Sequence, residues 1–217
     1  MRELRNPRIR LRDFGPQSSI NNMLRILSNP NVSRPYGLSY DGNLMTLKAE
    51  IEMIAEHEVI FEAIVKGKVV GFVTFREADE DDIETLYNRN VFGRLGSISR
   101  SISQKTASIS YALDTNYIGH GLGTKMVEQA IDRFFERYDC SCVIGTYLIF
   151  DDIGENWRSK NVLEKLGFKP FAIYRRSQTF AGENVRATDT YVLNPMYKAF
   201  IERKEQEIED IENNEKM

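Results

Sequence analysis

Two short stretches of the chain carry residue types at spacings that could do chemistry. The first is Ile118-Gly119-His120-Gly121-Leu122-Gly123-Thr124. Three alternating glycines let a backbone bend and bring its amides close to a ligand without Cβ interference. The segment stands between a strand-like run and an amphipathic helix, whose unpaired N–H groups and positive dipole end would add to an anion site. The chemistry implied is the binding of a phosphate or pyrophosphate; a ligand-free turn into a helix is the alternative. A Walker loop requires Gly-Lys-Ser/Thr, but Gly123 is followed by Thr124 and then Lys125. The dinucleotide fingerprint requires two residues after its second glycine, and here there is one. Both of those readings fail on spacing.

The second stretch is Asn156-Trp157-Arg158-Ser159 and its continuation through Leu163 and Leu166 to Gly167-Phe168. Asn156 and Ser159 are three apart, on one first helical turn. Asn156 is a good N-cap, which is its plain structural reading. Ser159 inside a helix adds little stability, so a polar task competes with capping or packing. Leu163 and Leu166 pack inward, and Gly167 is the expected residue just past the helix end.

The elements that must position these stretches are legible from periodicity. Arg8 to Arg12 alternates charged and apolar residues, a strand with one buried face. Ser19–Leu27 and Leu44–His57 read as amphipathic helices, with Val32–Tyr36 between them as a loop. Val59–Val65 and Val69–Phe75 flank Lys66-Gly67-Lys68, an antiparallel hairpin. The polar stretch Arg76–Thr106 opens with Glu77, Asp79, Glu80, Asp81 and Asp82, and has room for a short helix near Ile83–Tyr87. Strands at Ser108–Leu113 and Cys140–Leu148 enclose the glycine loop and its helix. Two further strands, Phe171–Phe180 and Thr188–Leu193, straddle the turn Gly182-Glu183-Asn184. The expected class is α/β (α+β): a mixed central sheet of about seven strands flanked by helices. One domain over 1–197 is expected, with a charged, helical or frayed tail over 198–217.

The 217 residues include 29 Lys plus Arg and 32 Asp plus Glu, a net charge of −3 that offers no support for generic nucleic-acid binding. No apolar run approaches the roughly 18 residues of a membrane span. The basic N-terminus has no apolar stretch behind it, unlike a secretory signal. Cys140 and Cys142 would share one strand face, where a disulfide is strained, and with only His57 and His120 beside them no metal site is expected. A soluble, cytoplasmic protein with two reduced thiols is the expectation. It could be a monomer or a homodimer, with neither nucleic acid nor membrane as partner.

Taken together, the two motifs resemble those of the Gcn5-related N-acetyltransferase (GNAT) superfamily, and within it the RimJ/RimL-type branch. The coenzyme A loop Q/R-x-x-G-x-G/A corresponds to Ile118–Gly123, with Ile118 where Gln or Arg is usual. The N-x-x-S signature is met by Asn156 and Ser159, followed by Leu163-Glu164-Lys165-Leu166-Gly167-Phe168. Arg8–Phe14, Ser28–Gly37 and the closing strands extend the resemblance over about residues 8–195.

That resemblance implies the GNAT fold, with a splayed strand pair forming the coenzyme A wedge. It also implies transfer of an acetyl group from acetyl-CoA, without a metal, to a primary amine by direct attack in a ternary complex. The acceptor classes are a protein N-terminus, a polyamine, an amino acid or an antibiotic. Gly119, His120, Gly121, Leu122, Gly123 and Thr124 would hold the pyrophosphate through backbone amides, and Tyr111, Ala112 and Leu113 would pair with the pantetheine. Asn156 would reach the pantetheine or the substrate. Where many relatives carry a Tyr acid this chain has Leu163, so Ser159 becomes the donor to the departing sulfur. Glu62 and Glu155 are candidate general bases, each with a surface-charge reading beside it. Arg34 and Tyr36 are candidate acceptor contacts, and Glu77–Asp82 could attract a cationic acceptor or simply be solvated. Competing readings are a catalytically silent acetyl-CoA sensor or scaffold and a nucleotide-binding protein.

Overall fold

The computed structural model describes residues 8–38, 42–93, 96–178 and 184–214. The first seven residues, Phe180, the turn residues Gly182 and Glu183, and the last three residues of the tail lie outside these.

A short strand β1 (Arg10–Asp13) leads into three helices, α1 (Ile20–Leu27), α2 (Pro30–Tyr36) and α3 (Leu44–His57). The hairpin follows as β2 (Val59–Val65) and β3 (Lys68–Glu77), turning on Lys66 and Gly67 at φ 50° and 79°. Positive φ at both turn residues matches the right-handed twist of the flanking strands. Helices α4 (Glu80–Asn88) and α5 (Gly96–Ser103) precede β4 (Thr106–Leu113). Then come α6 (Leu122–Arg137), β5 (Cys142–Phe150), the two-residue β6 (Gly154–Glu155) and α7 (Trp157–Lys165). The chain closes with β7 (Lys169–Gln178), β8 (Asn184–Leu193) and α8 (Pro195–Asn214).

The sheet runs β1-β2-β3-β4-β5-β8-β7, with β6 paired to β5. Every neighbouring pair is antiparallel except β4 and β5. One face packs on α6 and α7 through Val73, Phe75, Ile109, Val143, Met126, Ala130, Phe134 and Leu163. The other face carries two separate groups of helices. Helices α1–α3 cover Ile60, Phe72 and Ala112, whereas α4, α5 and α8 cover Cys142, Ile144 and Phe171.

Three segments depart from expectation. Val32–Tyr36, read as a loop, is the body of α2: Asn29 caps it by accepting from the Asn31 amide at 3.0 Å. Pro30 takes the first helical positions, where no N–H is needed, and Gly37 at φ 98° ends the helix. The polar stretch 76–106 holds two helices rather than one, and its acidic run is the first turn of α4, where Glu80, Asp81 and Asp82 suit the helix dipole. The tail is helical, but α8 starts at Pro195 and packs one face, with Ile201 buried and Ile208 beside it, instead of standing in solvent.

Both cysteines are free and buried, and burial pushes the Cys140 thiol up to about 11 and Cys142 well above its ordinary value. No described helix is long and apolar enough to cross a membrane.

Candidate active site

Strands β4 and β5 pair over only four positions, Thr106–Ile109 against Cys142–Gly145. Beyond Ile109, β4 stays bonded to β3 as far as Leu113, while β5 stays with β8. The two strands therefore splay, and the edge of β4 from Ser110 to Leu113 is open toward β5. A cavity of about 320 Å³ fills the opening. It is bounded by Ser110–Leu113, the glycine loop, Thr146, the first turns of α7, and Asn31, Val32, Pro35 and Tyr36 of α2.

The glycine loop enters from a 3-10 turn at Thr115–Tyr117 that Asp114 organises. Asp114 accepts from the Asn116 amide at 3.0 Å and from Arg25 at 2.6 Å, and Arg25 also donates to the Val69 carbonyl. Burial works to raise the Asp114 pKa, but these donors together outweigh it and hold the carboxyl below its ordinary value. Gly119 and Gly121 adopt φ of 86° and 69°, which an L side chain rarely tolerates, and a Cβ at either would project into open space. Gly121 precedes α6 with no side-chain cap, so the helix presents its first-turn amides uncapped. Ile118, Gly119, Gly121, Gly123 and Thr124 line the cavity. His120 is exposed outside it, and the Leu122 side chain is buried in the α6 core, leaving Leu122 only its amide to offer.

On the opposite wall, Asn156 accepts from the Ser159 amide at 3.3 Å, as an N-cap does. The Ser159 hydroxyl lies 2.7 Å from that of Tyr111 across the splay. Tyr111 was expected to act through its backbone alone; its phenol, which burial raises far above its ordinary pKa and so keeps protonated, is part of the site. Leu163, which the family resemblance sets at the place of a Tyr acid in many relatives, is 1% exposed in the core. A Cβ on Gly145 would stand 2.6 Å from Leu163 Cδ2, so the bare backbone of β5 lets α7 press down onto the sheet.

The other expected residues are distributed unequally. Tyr36 lines the cavity, its ring edge-on to Phe72 at 5.7 Å and its hydroxyl 3.3 Å from that of Thr74. Arg34 does not line it: its guanidinium makes a bidentate pair with Asp152 at 2.8 and 2.9 Å and covers the Phe150 ring. Glu62 is fully buried away from the cavity, where Oε2 accepts from Arg12 and from Ser18. That carboxylate ties β1 and the start of α1 to β2 and does not reach the wedge, so it is not retained as a base. Glu155 pairs with Lys160 at 2.9 Å on the outer rim.

Sequence reasoning missed a row of polar side chains crossing the sheet at the splay. Thr74 pairs with Ser110, Thr146 pairs with Asp189, and Ser110 and Thr146 directly follow the last β4–β5 pair, Ile109 and Gly145. Asp189, fully buried, accepts from Thr146 at 2.7 Å and from Arg175. The sequence signal was a polar residue at matching places in β3, β4, β5 and β8, which other polar residues in β3, β4 and β8 obscure. Among the described residues no group of His, Cys, Asp and Glu could hold a metal ion.

The open β4 edge, the bare glycine turns and the uncapped helix start fit a ligand with an anionic diphosphate and an amide-bearing arm, as coenzyme A has. Residues 8–169 match the acetyltransferase (GNAT) domain family. No curated protein matches the chain. Among solved structures it is similar to an acetyltransferase from Salmonella typhimurium that modifies the N-terminal serine of ribosomal protein L7/L12 (TM-score 0.62, 11% identity, 88% of this chain and 97% of that one). It is also similar to a ribosomal-protein-S5-alanine acetyltransferase from Vibrio fischeri (0.58, 15%, 87% and 94%). A third is RimL, a ribosomal L7/L12 alpha-N-protein acetyltransferase in complex with coenzyme A (0.58, 12%, 85% and 93%). At these identities the likeness speaks for the fold.

Proposed function

The chain belongs to the GNAT acetyltransferase family, and from that premise we propose that it moves the acetyl group of acetyl-CoA to a primary amine by direct attack in a ternary complex. The observation that carries the reading is the splay of β4 from β5, bordered by the glycine loop on one side and the Tyr111–Ser159 hydroxyl pair on the other.

In this reading the amides of Gly119 to Thr124 and the α6 dipole hold the diphosphate, at about 0.3–1 kcal/mol per charge from the dipole alone. The open edge of Tyr111, Ala112 and Leu113 pairs with the amide-bearing arm and aims the thioester at the splay. An edge N–H polarises the carbonyl as the oxyanion develops. The Tyr111 phenol donates to Ser159 Oγ, which leaves the Ser159 proton for the departing sulfur. Asn156 holds that turn of α7 in place through the Ser159 amide.

The acceptor enters over α2, where Tyr36 lines the cavity. The similar structures whose enzymes acetylate the N-terminus of ribosomal protein L7/L12 put a protein N-terminus first among the acceptor classes, ahead of polyamines, amino acids and antibiotics. A thermal-shift titration with acetyl-CoA, CoA, ATP and NAD tests the cofactor; a ligand at 100 times its Kd stabilises a fold by about 2.7 kcal/mol. Stabilisation by acetyl-CoA and CoA alone is expected. Thiol release with Ser- and Ala-initiated peptides, spermidine and lysine then tests the transfer. Binding without release from any amine would favour a silent sensor.

A further inference from the structure

In the proposed reaction the cofactor is held at several points. The acceptor's nitrogen must be held too, with its lone pair on the thioester carbon. The polar row that crosses the sheet at the splay offers a partner for it.

Thr146 is the first β5 residue past the last pair with β4, and it lines the cavity. Alternation along β5 sends Val143 and Gly145 toward α6 and α7, and Cys142, Ile144 and Thr146 toward the opposite face. Helix α2 lies on that opposite face, and the acceptor enters over it in the proposed reaction.

The Thr146 hydroxyl lies 2.7 Å from Oδ1 of Asp189, its cross-strand partner on β8. Asp189 is fully buried, so its charge has to be met inside the protein. Arg175 meets it from β7 with two donors, Nε to Oδ2 and Nη2 to Oδ1, the latter at 3.0 Å. A carboxylate gripped by a guanidinium in this way only accepts hydrogen bonds. The Thr146 hydroxyl is therefore the donor in its bond to Asp189. Its one proton is committed to the sheet, and what it keeps for the cavity is oxygen lone pairs.

A hydroxyl fixed in this way accepts from an N–H and has no proton to give a carbonyl oxygen. The amides of the coenzyme A arm are taken up by the open edge at Tyr111–Leu113, and the thioester itself has no N–H. The amine is the reactant that brings N–H groups to the head of the splay.

We propose that Thr146 binds the acceptor's amino group, accepting one N–H at Oγ1 and so turning the nitrogen lone pair toward the thioester carbon. The inference rests on the transferase reading and gives its acceptor a specific contact. A primary amine has two N–H bonds and one lone pair, so fixing an N–H restricts where the lone pair points, which is the orientation that attack requires. As the nitrogen begins to bond to carbon it gains positive charge and its N–H becomes a stronger donor. The contact therefore tightens along the reaction, and its loss lowers the rate as well as the binding.

The test removes the oxygen in two ways and keeps it in a third. Thr146→Val preserves the shape, Thr146→Ala puts no extra methyl beside Asp189, and Thr146→Ser retains the hydroxyl. Thiol release is measured with the amine and acetyl-CoA varied in turn, using whichever of the tested amines wild type acetylates best. The Val and Ala variants are each expected to lose about 10–100-fold in kcat/KM for the amine, the span of a hydrogen bond to a group that carries charge. Their KM for acetyl-CoA should stay within about threefold of wild type, and acetyl-CoA should still raise their Tm. Thr146→Ser should stay within about threefold of wild type in every constant. Val and Ala variants as active as wild type, a Ser variant as impaired as they are, or a loss carried by KM for acetyl-CoA would each overturn the assignment of Thr146 and leave the transferase standing. Wild type that binds acetyl-CoA but releases thiol with no amine would overturn the transferase reading and this contact with it.

Discussion

Two hydroxyls 2.7 Å apart, on Tyr111 and Ser159, stand on the α7 wall of the wedge, the leaving-group side in the proposed reaction. Because one supports the other, their contributions are not independent. Ser159→Ala and Tyr111→Phe are each expected to lower kcat about 10–100-fold, and the double variant to fall short of the product of the two, with a coupling energy of about 0.5–3 kcal/mol. Acetyl-CoA affinity, measured by thermal shift, should stay within about threefold because the diphosphate contacts are elsewhere. Ser159 was legible from its place three residues after Asn156. The Tyr111 phenol was not, since a strand residue advertises its backbone pairing but not the helix its side chain will meet. Glu62 shows the converse: a glutamate in a strand reads as available, yet it is buried away from the cavity and its Oε2 is taken by Arg12 and Ser18, 50 and 44 residues away in sequence. Asp114 is a further case of a residue set by distant partners. Its lowered pKa means its stabilisation is fully present above the ordinary Asp value and is lost as pH falls through the folded one. Asp114→Asn should therefore lower the Tm at pH 7, by about 2 kcal/mol of stability, and bring the Tm closer to that of wild type as the pH drops to about 3.

At the scale of elements, the site depends on how closely α7 approaches β5. Gly145→Ala would set a Cβ 2.6 Å from Leu163 and 3.1 Å from Phe168, lifting the α7 turn that carries Ser159. The expected result is a loss of about 1–3 kcal/mol, read by thermal unfolding, with kcat falling further than that loss of stability would suggest. The hairpin, the glycine loop, α6 and α7 were plain from periodicity and turn residues, because each is specified within about fifteen residues. Helix α2 was hidden by Pro30 and Pro35, which read as breakers although one stands at a helix start. Helix α4 was foreseen in outline and α5 not at all. Both lie over the β5-β8-β7 half of the sheet, and at nine and eight residues each is too short to stand as a helix before that surface is present. The charged α8 is a similar case: Ile201 meets its cluster only once β5, β7 and β8 are assembled.

The whole molecule is one mixed sheet with different business on its two faces. Alternation puts Tyr111 toward α7 and Ser110 toward α2, so neighbouring residues of β4 serve opposite sides of the splay. Strand order and the four-residue limit of the β4–β5 ladder follow from long-range pairing, and only the family resemblance made the wedge foreseeable. The placement has a kinetic consequence. In the proposed reaction cofactor and acceptor reach the reacting carbon from different sides, so neither has to leave before the other arrives. Double-reciprocal plots against both substrates should intersect rather than run parallel. Free CoA should compete with acetyl-CoA while acting as a non-competitive inhibitor of the amine. Parallel lines would mean that the acetyl group rests on the protein between two half-reactions, for which the wedge, with both thiols buried away from it, has no cysteine to offer.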